Sequence, residues 1–154
     1  MVKVLFVCHG NICRSPMAEF LLIDMLKKRK ITNVIVESRA TSIEEVGNPV
    51  HYGTGKILDD LGIDYHLKRA QVLEKDDYYK WDYLIGMDQY NIKNMANFFK
   101  KRDKLYLLLD FIYESRDVKD PWYTNDFKTT YEDITKGLEG FISFLEQING
   151  LTYK

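Results

Sequence analysis

The sequence predicts an α/β fold: a three-layer, doubly wound sandwich in which helices flank a four-stranded parallel sheet of order 2-1-3-4. Two observations lead there. Short apolar runs alternate along the chain with longer stretches of helical period, and alternating strands and helices build a parallel sheet covered on both faces. The first run, Val2 to Val7, is apolar as a strand buried on both faces would be. No repeat, low-complexity segment or Pro/Gly-rich linker interrupts the 154 residues, so one domain is expected over 1–154.

Val2 to Val7 is β-branched and apolar and reads as the first strand. From Pro16 the period changes, with Met17, Phe20, Leu21, Met25 and Leu26 on one helical stripe that ends in Lys27-Lys28-Arg29-Lys30. Val34 to Ser38 is the second strand. Pro49 suits the first turn of a helix carrying Ile57, Leu58 and Leu61, which Gly62 can terminate. Tyr83 to Met87 is the third strand, and Asp88 the N-cap of a helix over Ile92 and Met95. Leu105 to Leu109 is the fourth. A final helix carries Tyr131, Ile134, Leu138, Phe141, Ile142, Leu145 and Ile148.

Composition excludes several classes. Lys plus Arg number 22 against 23 Asp plus Glu, a balance that argues against nucleic-acid binding. The basic runs at Lys27 to Lys30 and Lys100 to Arg102 read as solvated helix ends, where cations suit the macrodipole. No apolar run approaches the roughly 20 residues of a membrane span, and the start of the chain reads as a strand rather than a secretory signal. Cys8 and Cys13 are the only cysteines, too few for a disulfide framework or a four-ligand zinc site. A reducing, cytoplasmic compartment is expected, with no metal and no cofactor. The sequence is silent on oligomeric state, and a monomer is the working expectation.

Folds of this kind place ligands beyond the carboxyl ends of the strands, where Cys8 lies. The segment Cys8-His9-Gly10-Asn11-Ile12-Cys13-Arg14-Ser15-Pro16 passes from strand to helix. Successive N–H groups of such a loop can cradle an oxyanion, helped by the helix N-terminus. Gly10 allows positive φ and Asn11 tolerates it. Arg14 can grip two phosphate oxygens at once. A cysteine in these surroundings is a thiolate nucleophile in waiting, and the donors that favour the thiolate would also stabilise a transferring phosphoryl group. Cys8 alone would pass for a small core residue and Gly-Asn for a turn. Cys, five residues, Arg and a helix start directly after an apolar strand point instead to a phosphatase with a phosphocysteine intermediate.

Val4 to Glu19, VLFVCHGNICRSPMAE, resembles the signature of the low-molecular-weight protein tyrosine phosphatases. The resemblance extends to Asp120-Pro121-Trp122-Tyr123 and covers essentially the whole chain. It implies Cys8 as nucleophile, Arg14 as transition-state clamp and Asp120 as general acid, with Asn11 and Ser15 holding the loop and thiolate. Read without the loop, Asp120 would be an Asp-Pro turn. A phenol has a pKa near 10, so an acid that protonates the leaving tyrosine is chemically useful. Cys13 is either a packed small residue or, as the resemblance implies, the redox partner of Cys8 in a reversible disulfide.

The expected substrate is a phosphotyrosine-containing protein, and the expected rim is Glu44, Trp122 and Tyr123. Relatives often carry an aromatic residue where Glu44 stands. A carboxylate there cannot stack on a substrate ring but could favour basic flanking residues, or could simply be solvated. Trp122 replaces one of two tyrosines common in relatives. His9 stands where relatives are mostly apolar; it is either surface ornament or a charge at the entrance that changes between pH 6 and 7. Relatives acting on phosphoarginine carry Thr at the position of Ile12, so Ile12 favours phosphotyrosine. Arsenate reduction would need cysteines after Cys13, and none exists. A small-molecule acid phosphatase and a non-catalytic phosphate-binding module are the remaining rivals.

Overall fold

The computed structural model describes residues 1–148 and 150–154. Strands β1 (Val2–Cys8), β2 (Val34–Ala40), β3 (Tyr83–Gly86) and β4 (Leu105–Leu107) form one sheet of order β2-β1-β3-β4. All three pairings are parallel, with Val4 opposite both Val36 and Tyr83, and Ile85 opposite Tyr106. The helices are α1 (Arg14–Lys28), α2 (Tyr52–Asp60), α3 (Asp77–Lys80), α4 (Gln89–Phe99), α5 (Pro121–Thr124) and α6 (Phe127–Ile148), with a 3-10 turn at Leu108–Ile112.

β1 shows why the sheet needs two covers. Val4, Phe6 and Cys8 enter the core formed with Met17, Leu22, Phe141 and Ile142 of α1 and α6. Leu5 and Val7 point the other way, into a second core with Tyr78, Trp81, Met95 and Phe99. Side chains alternate across a strand, so the unbroken apolar run from Val4 to Cys8, after the exposed Lys3, must bury both faces. Each fully buried Leu or Phe contributes about 1.5–3 kcal/mol relative to exposure. Among the described residues no helix is long and apolar enough to cross a membrane.

Several expected boundaries move. The first helix begins at Arg14, two residues before Pro16, and its buried face centres on Met17, Ala18, Leu21 and Leu22 while Phe20 and Met25 pack at the edge. β2 runs on to Ala40. Pro49 lies before α2, in a bridge to Arg69, and His51 is the N-cap. Gly62 follows the end of α2 at φ +72°, the left-handed conformation that stops a helix. β4 ends at Leu107 because Leu108 and Leu109 turn into the 3-10 segment. In the last helix Ile134, Leu138, Phe141, Ile142 and Leu145 are buried, but Ile148 is exposed. The short helices α3 and α5 went unread, since four residues are too few to show a period.

The chain leaves β1 toward β2 on one side and reaches β3 on the other. The connections therefore diverge between the ends of β1 and β3, and a crevice opens there. Cys8 ends β1, and Asp88 follows β3 by two residues.

Candidate active site

The loop from Cys8 to Arg14 is stitched to its surroundings by backbone bonds. Thr41 N donates to Cys8 O at 3.0 Å, Ser42 N to His9 O at 3.0 Å, and His51 N to Ile12 O at 2.9 Å. Thr54 Oγ1 donates to Cys13 O at 3.0 Å. Of the two loop residues that could take positive φ, Gly10 and Asn11, it is Asn11 that does, at +59°. Gly10 serves by its size instead: a Cβ there would lie 3.2 Å from Glu45 Cγ. Asn11 is held by its own side chain, whose Oδ1 accepts from Gln71 N at 3.1 Å.

Beneath the loop runs a buried polar chain. Asn11 Nδ2 donates to Ser15 Oγ and to Ser38 Oγ, each at 2.8 Å. Ser38 Oγ donates to Glu19 Oε1 at 2.5 Å. Lys68 Nζ lies 3.4 Å from the same carboxylate and donates to Ser38 O at 2.9 Å. Burial pushes the Glu19 carboxyl up, against the pull of Lys68 and Ser38. Burial likewise pushes the Lys68 ammonium down, opposed by Glu19. Ser15 already accepts from Asn11, so its hydroxyl proton can point to Cys8 Sγ, 3.0 Å away. Asn11 N donates to the same sulfur at 3.3 Å. Two donors thus converge on a sulfur that is only 3% exposed at residue level.

Arg14 is the first residue of α1 and almost wholly buried. Nη1 donates to Asp88 Oδ2 at 2.7 Å and to Val118 O at 2.9 Å; Nη2 lies 3.4 Å from Asp120 Oδ2. Burial opposes the Arg14 charge, yet the neighbouring Cys8, Asp88 and Asp120 charges hold its pKa above the ordinary value. Asp120 caps α5, with Oδ1 accepting from Trp122 N at 3.0 Å. Burial, then the Cys8 and Asp120 charges, push the Cys13 thiol up, so this cysteine holds its proton.

Cys8, His9, Gly10, Ile12, Cys13 and Arg14 line a pocket of about 130 Å³. Glu44, Glu45, Asp120, Trp122 and Tyr123 complete its wall and rim. Asn11 and Ser15 stand behind it as supports. His9 Nε2 and Glu44 Oε2 meet at 3.1 Å across exposed side chains, so the two unusual rim residues form a pair. A roomier hollow of about 600 Å³ near Ile23, Lys27 and Lys154 carries no cysteine. Chemistry rather than size marks the site.

The profile of the Low molecular weight phosphotyrosine protein phosphatase family matches residues 3–150. The chain belongs to that family. Among relatives of this phosphatase is the low molecular weight protein-tyrosine-phosphatase PtpA of Staphylococcus epidermidis, 40% identical over 147 residues and 94% of each chain. The Staphylococcus haemolyticus PtpA is 41% identical over the same share. Of solved structures, YfkJ from Bacillus subtilis superposes with a TM-score of 0.92 at 35% identity, covering 97% of both chains. The low molecular weight protein tyrosine phosphatase SP-PTP from Streptococcus pyogenes gives 0.84 at 42% identity, covering 94% of this phosphatase and 93% of its own chain.

Sequence reading missed several partners that surround the phosphatase's loop. Asp88 was read as an N-cap, which it is, but its second oxygen also holds Arg14. Its place just past β3, at the crevice, was the available signal. Glu19, Ser38 and Lys68 carried none, because a buried polar chain assembled from three elements leaves no local pattern.

Proposed function

We propose that this phosphatase hydrolyses phosphotyrosyl proteins through a phosphocysteine on Cys8, as one domain spanning the chain and working as a monomer in the cytoplasm. The Cys8 thiolate attacks phosphorus while the bond to the tyrosine oxygen breaks, and Asp120 gives that oxygen its proton. Asp120 then takes a proton from water, whose oxygen attacks phosphorus as the S–P bond breaks. Inorganic phosphate leaves and the thiolate returns. The Arg14 guanidinium and the loop N–H groups stabilise the equatorial oxygens in both halves. One observation carries this reading: Cys8, Arg14 and Asp120 line the same narrow pocket, with Asn11 N and Ser15 Oγ both on the Cys8 sulfur.

Specificity rests on the rim. Ile12 favours phosphotyrosine over phosphoarginine, Trp122 and Tyr123 offer apolar walls, and Glu44 favours basic residues beside the phosphotyrosine. Cys13 is the redox partner: peroxide oxidises the Cys8 thiolate to a sulfenic acid, which condenses with the Cys13 thiol to a disulfide and water. Peroxide inactivation should then be reversed by dithiothreitol, and by far less in Cys13→Ala.

The deciding experiment is turnover of phosphotyrosine, phosphoarginine, phosphoserine and alkyl phosphates by the wild type and Cys8→Ser. Phosphotyrosine should be turned over fastest and Cys8→Ser should be inactive but folded. Substantial activity in Cys8→Ser removes the nucleophile assignment, and faster turnover of alkyl phosphates or phosphoarginine replaces the substrate.

A further inference from the structure

An aromatic track leaves the pocket rim. Trp122 is 58% exposed at the mouth. Its ring meets His51 edge-on at 5.7 Å, and His51 stacks in turn on Phe127 at 5.2 Å and on Tyr52 at 4.5 Å. The track opens into a groove of about 500 Å³ between α2 and α6, where Tyr52, Ile57, Leu61, Phe127 and Tyr131 give an apolar lining beside Lys56, Asp60 and Lys128. That volume lies within the usual range of ligand sites. Phe127 packs against Gly53, where an added Cβ would come within 2.4 Å of the ring. Tyr52 remains 78% exposed and Leu61 43% exposed. Contiguous apolar exposure of this kind marks a binding surface more often than isolated exposed residues do.

We propose that this groove receives an apolar or aromatic side chain of the phosphotyrosyl substrate, about three residues from the phosphotyrosine. The inference rests on the phosphatase reading of the neighbouring pocket. What selects the occupant is continuity: the groove joins the pocket mouth through successive ring contacts, Trp122 to His51 and His51 to Phe127. Two ring contacts separate Trp122 from Phe127, and an extended peptide at roughly 3.3 Å per residue crosses that span in about three residues. A substrate held at both points is a folded-out protein segment rather than a small phosphate ester. Phosphoryl chemistry fixes one end, and burial of a single apolar side chain fixes the other.

The test uses phosphotyrosyl peptides that differ only in Ala or Leu at each position from four before to four after the phosphotyrosine. Within each enzyme the ratio of kcat/KM for the Leu and Ala peptides is taken, so differences in the amount of folded protein cancel. The wild type should favour Leu by about tenfold at one position three or four residues away, the worth of burying one such side chain. Tyr52→Ala and, separately, Leu61→Ser should each bring that ratio toward one. A wild type that turns over every peptide without positional preference overturns the groove proposal and leaves the pocket reading standing. Failure to turn over any phosphotyrosyl peptide overturns the pocket reading itself. A preference that survives in both variants places the side chain elsewhere and also overturns the proposal.

Discussion

Arg14 Nη1 and Asp88 Oδ2 meet at 2.7 Å inside the crevice between β1 and β3. The two oxygens of Asp88 divide their work: Oδ1 accepts from Asn91 N at 2.8 Å to cap α4, and Oδ2 aims the guanidinium. Val118 O takes a second proton of the same nitrogen. With Nη1 occupied on both sides, Nη2 is the nitrogen that faces the pocket and Asp120.

Asp88→Asn should separate these two duties. The amide oxygen can keep the cap, while the amide nitrogen sets donor against donor at Arg14. A lost charge-assisted hydrogen bond is worth about 1.5–3 kcal/mol, so kcat/KM should fall about 10- to 100-fold. The melting temperature should move by only a few degrees. Steady-state kinetics beside a thermal melt checks both. An unchanged kcat/KM would reduce Asp88 to a helix cap.

Asp120 caps α5, and its proposed role as general acid can be separated from that cap. Asp120→Asn keeps an oxygen for Trp122 N, so α5 should stay in place. Loss of a general acid costs about 10²- to 10⁴-fold where the leaving group needs its proton. The deficit should be largest for phosphotyrosine and smaller for a nitrophenyl phosphate, whose anion leaves unaided. A plot of log kcat/KM against leaving-group pKa should steepen in the variant. Parallel lines would remove Asp120 from the acid role.

The loop and the parallel sheet were legible because each has a local signature, whereas Asp120 was legible only through the family resemblance, since alone it reads as an Asp-Pro turn. Cys8 and Arg14 are spaced by the turn that cradles the anion, and Val2 to Val7 is a run too apolar for a one-sided strand. The buried chain from Lys68 through Glu19 and Ser38 to Asn11 was not. Its members come from the segment after α2, from α1, from β2 and from the loop, and each alone looks like a surface residue. Which of Gly10 and Asn11 takes the positive φ was open in the sequence for a similar reason. Asn11 takes that conformation because Ser15, Ser38 and Gln71, far apart in sequence, all bond its side chain.

Lys68→Met tests how much that chain matters. Removing one partner of a buried pair typically costs about 3–5 kcal/mol, because the other charge is left uncompensated. The sign with pH follows from Glu19. Its pKa is raised by burial above the unfolded value, so the folded state holds the proton more tightly. The penalty of an unpaired Glu19 is therefore full above its folded pKa and fades as pH falls through it. Urea unfolding should show a deficit at pH 7.5 that shrinks toward pH 5, and the double variant Glu19→Gln/Lys68→Met should recover most of it. A deficit independent of pH would mean that lost packing of the lysine stem, not charge, is responsible.

His51 supplies the last prediction. Its Nδ1 accepts from Gly53 N at 3.0 Å to cap α2, which requires that nitrogen to be free of a proton. Burial lowers the His51 pKa below the ordinary value of 6.5, and Glu45 and Asp120 only partly oppose this. A depressed imidazole stabilises the fold fully above the unfolded pKa, and that contribution is lost as pH falls through the folded one. The cap is worth about 1 kcal/mol. In His51→Asn the amide oxygen takes over the cap and does not titrate. Urea midpoints measured at pH 5.0 and 7.5 should therefore differ less in the variant than in the wild type. An equal pH dependence in both proteins would show that the loss of stability in acid comes from groups other than this cap.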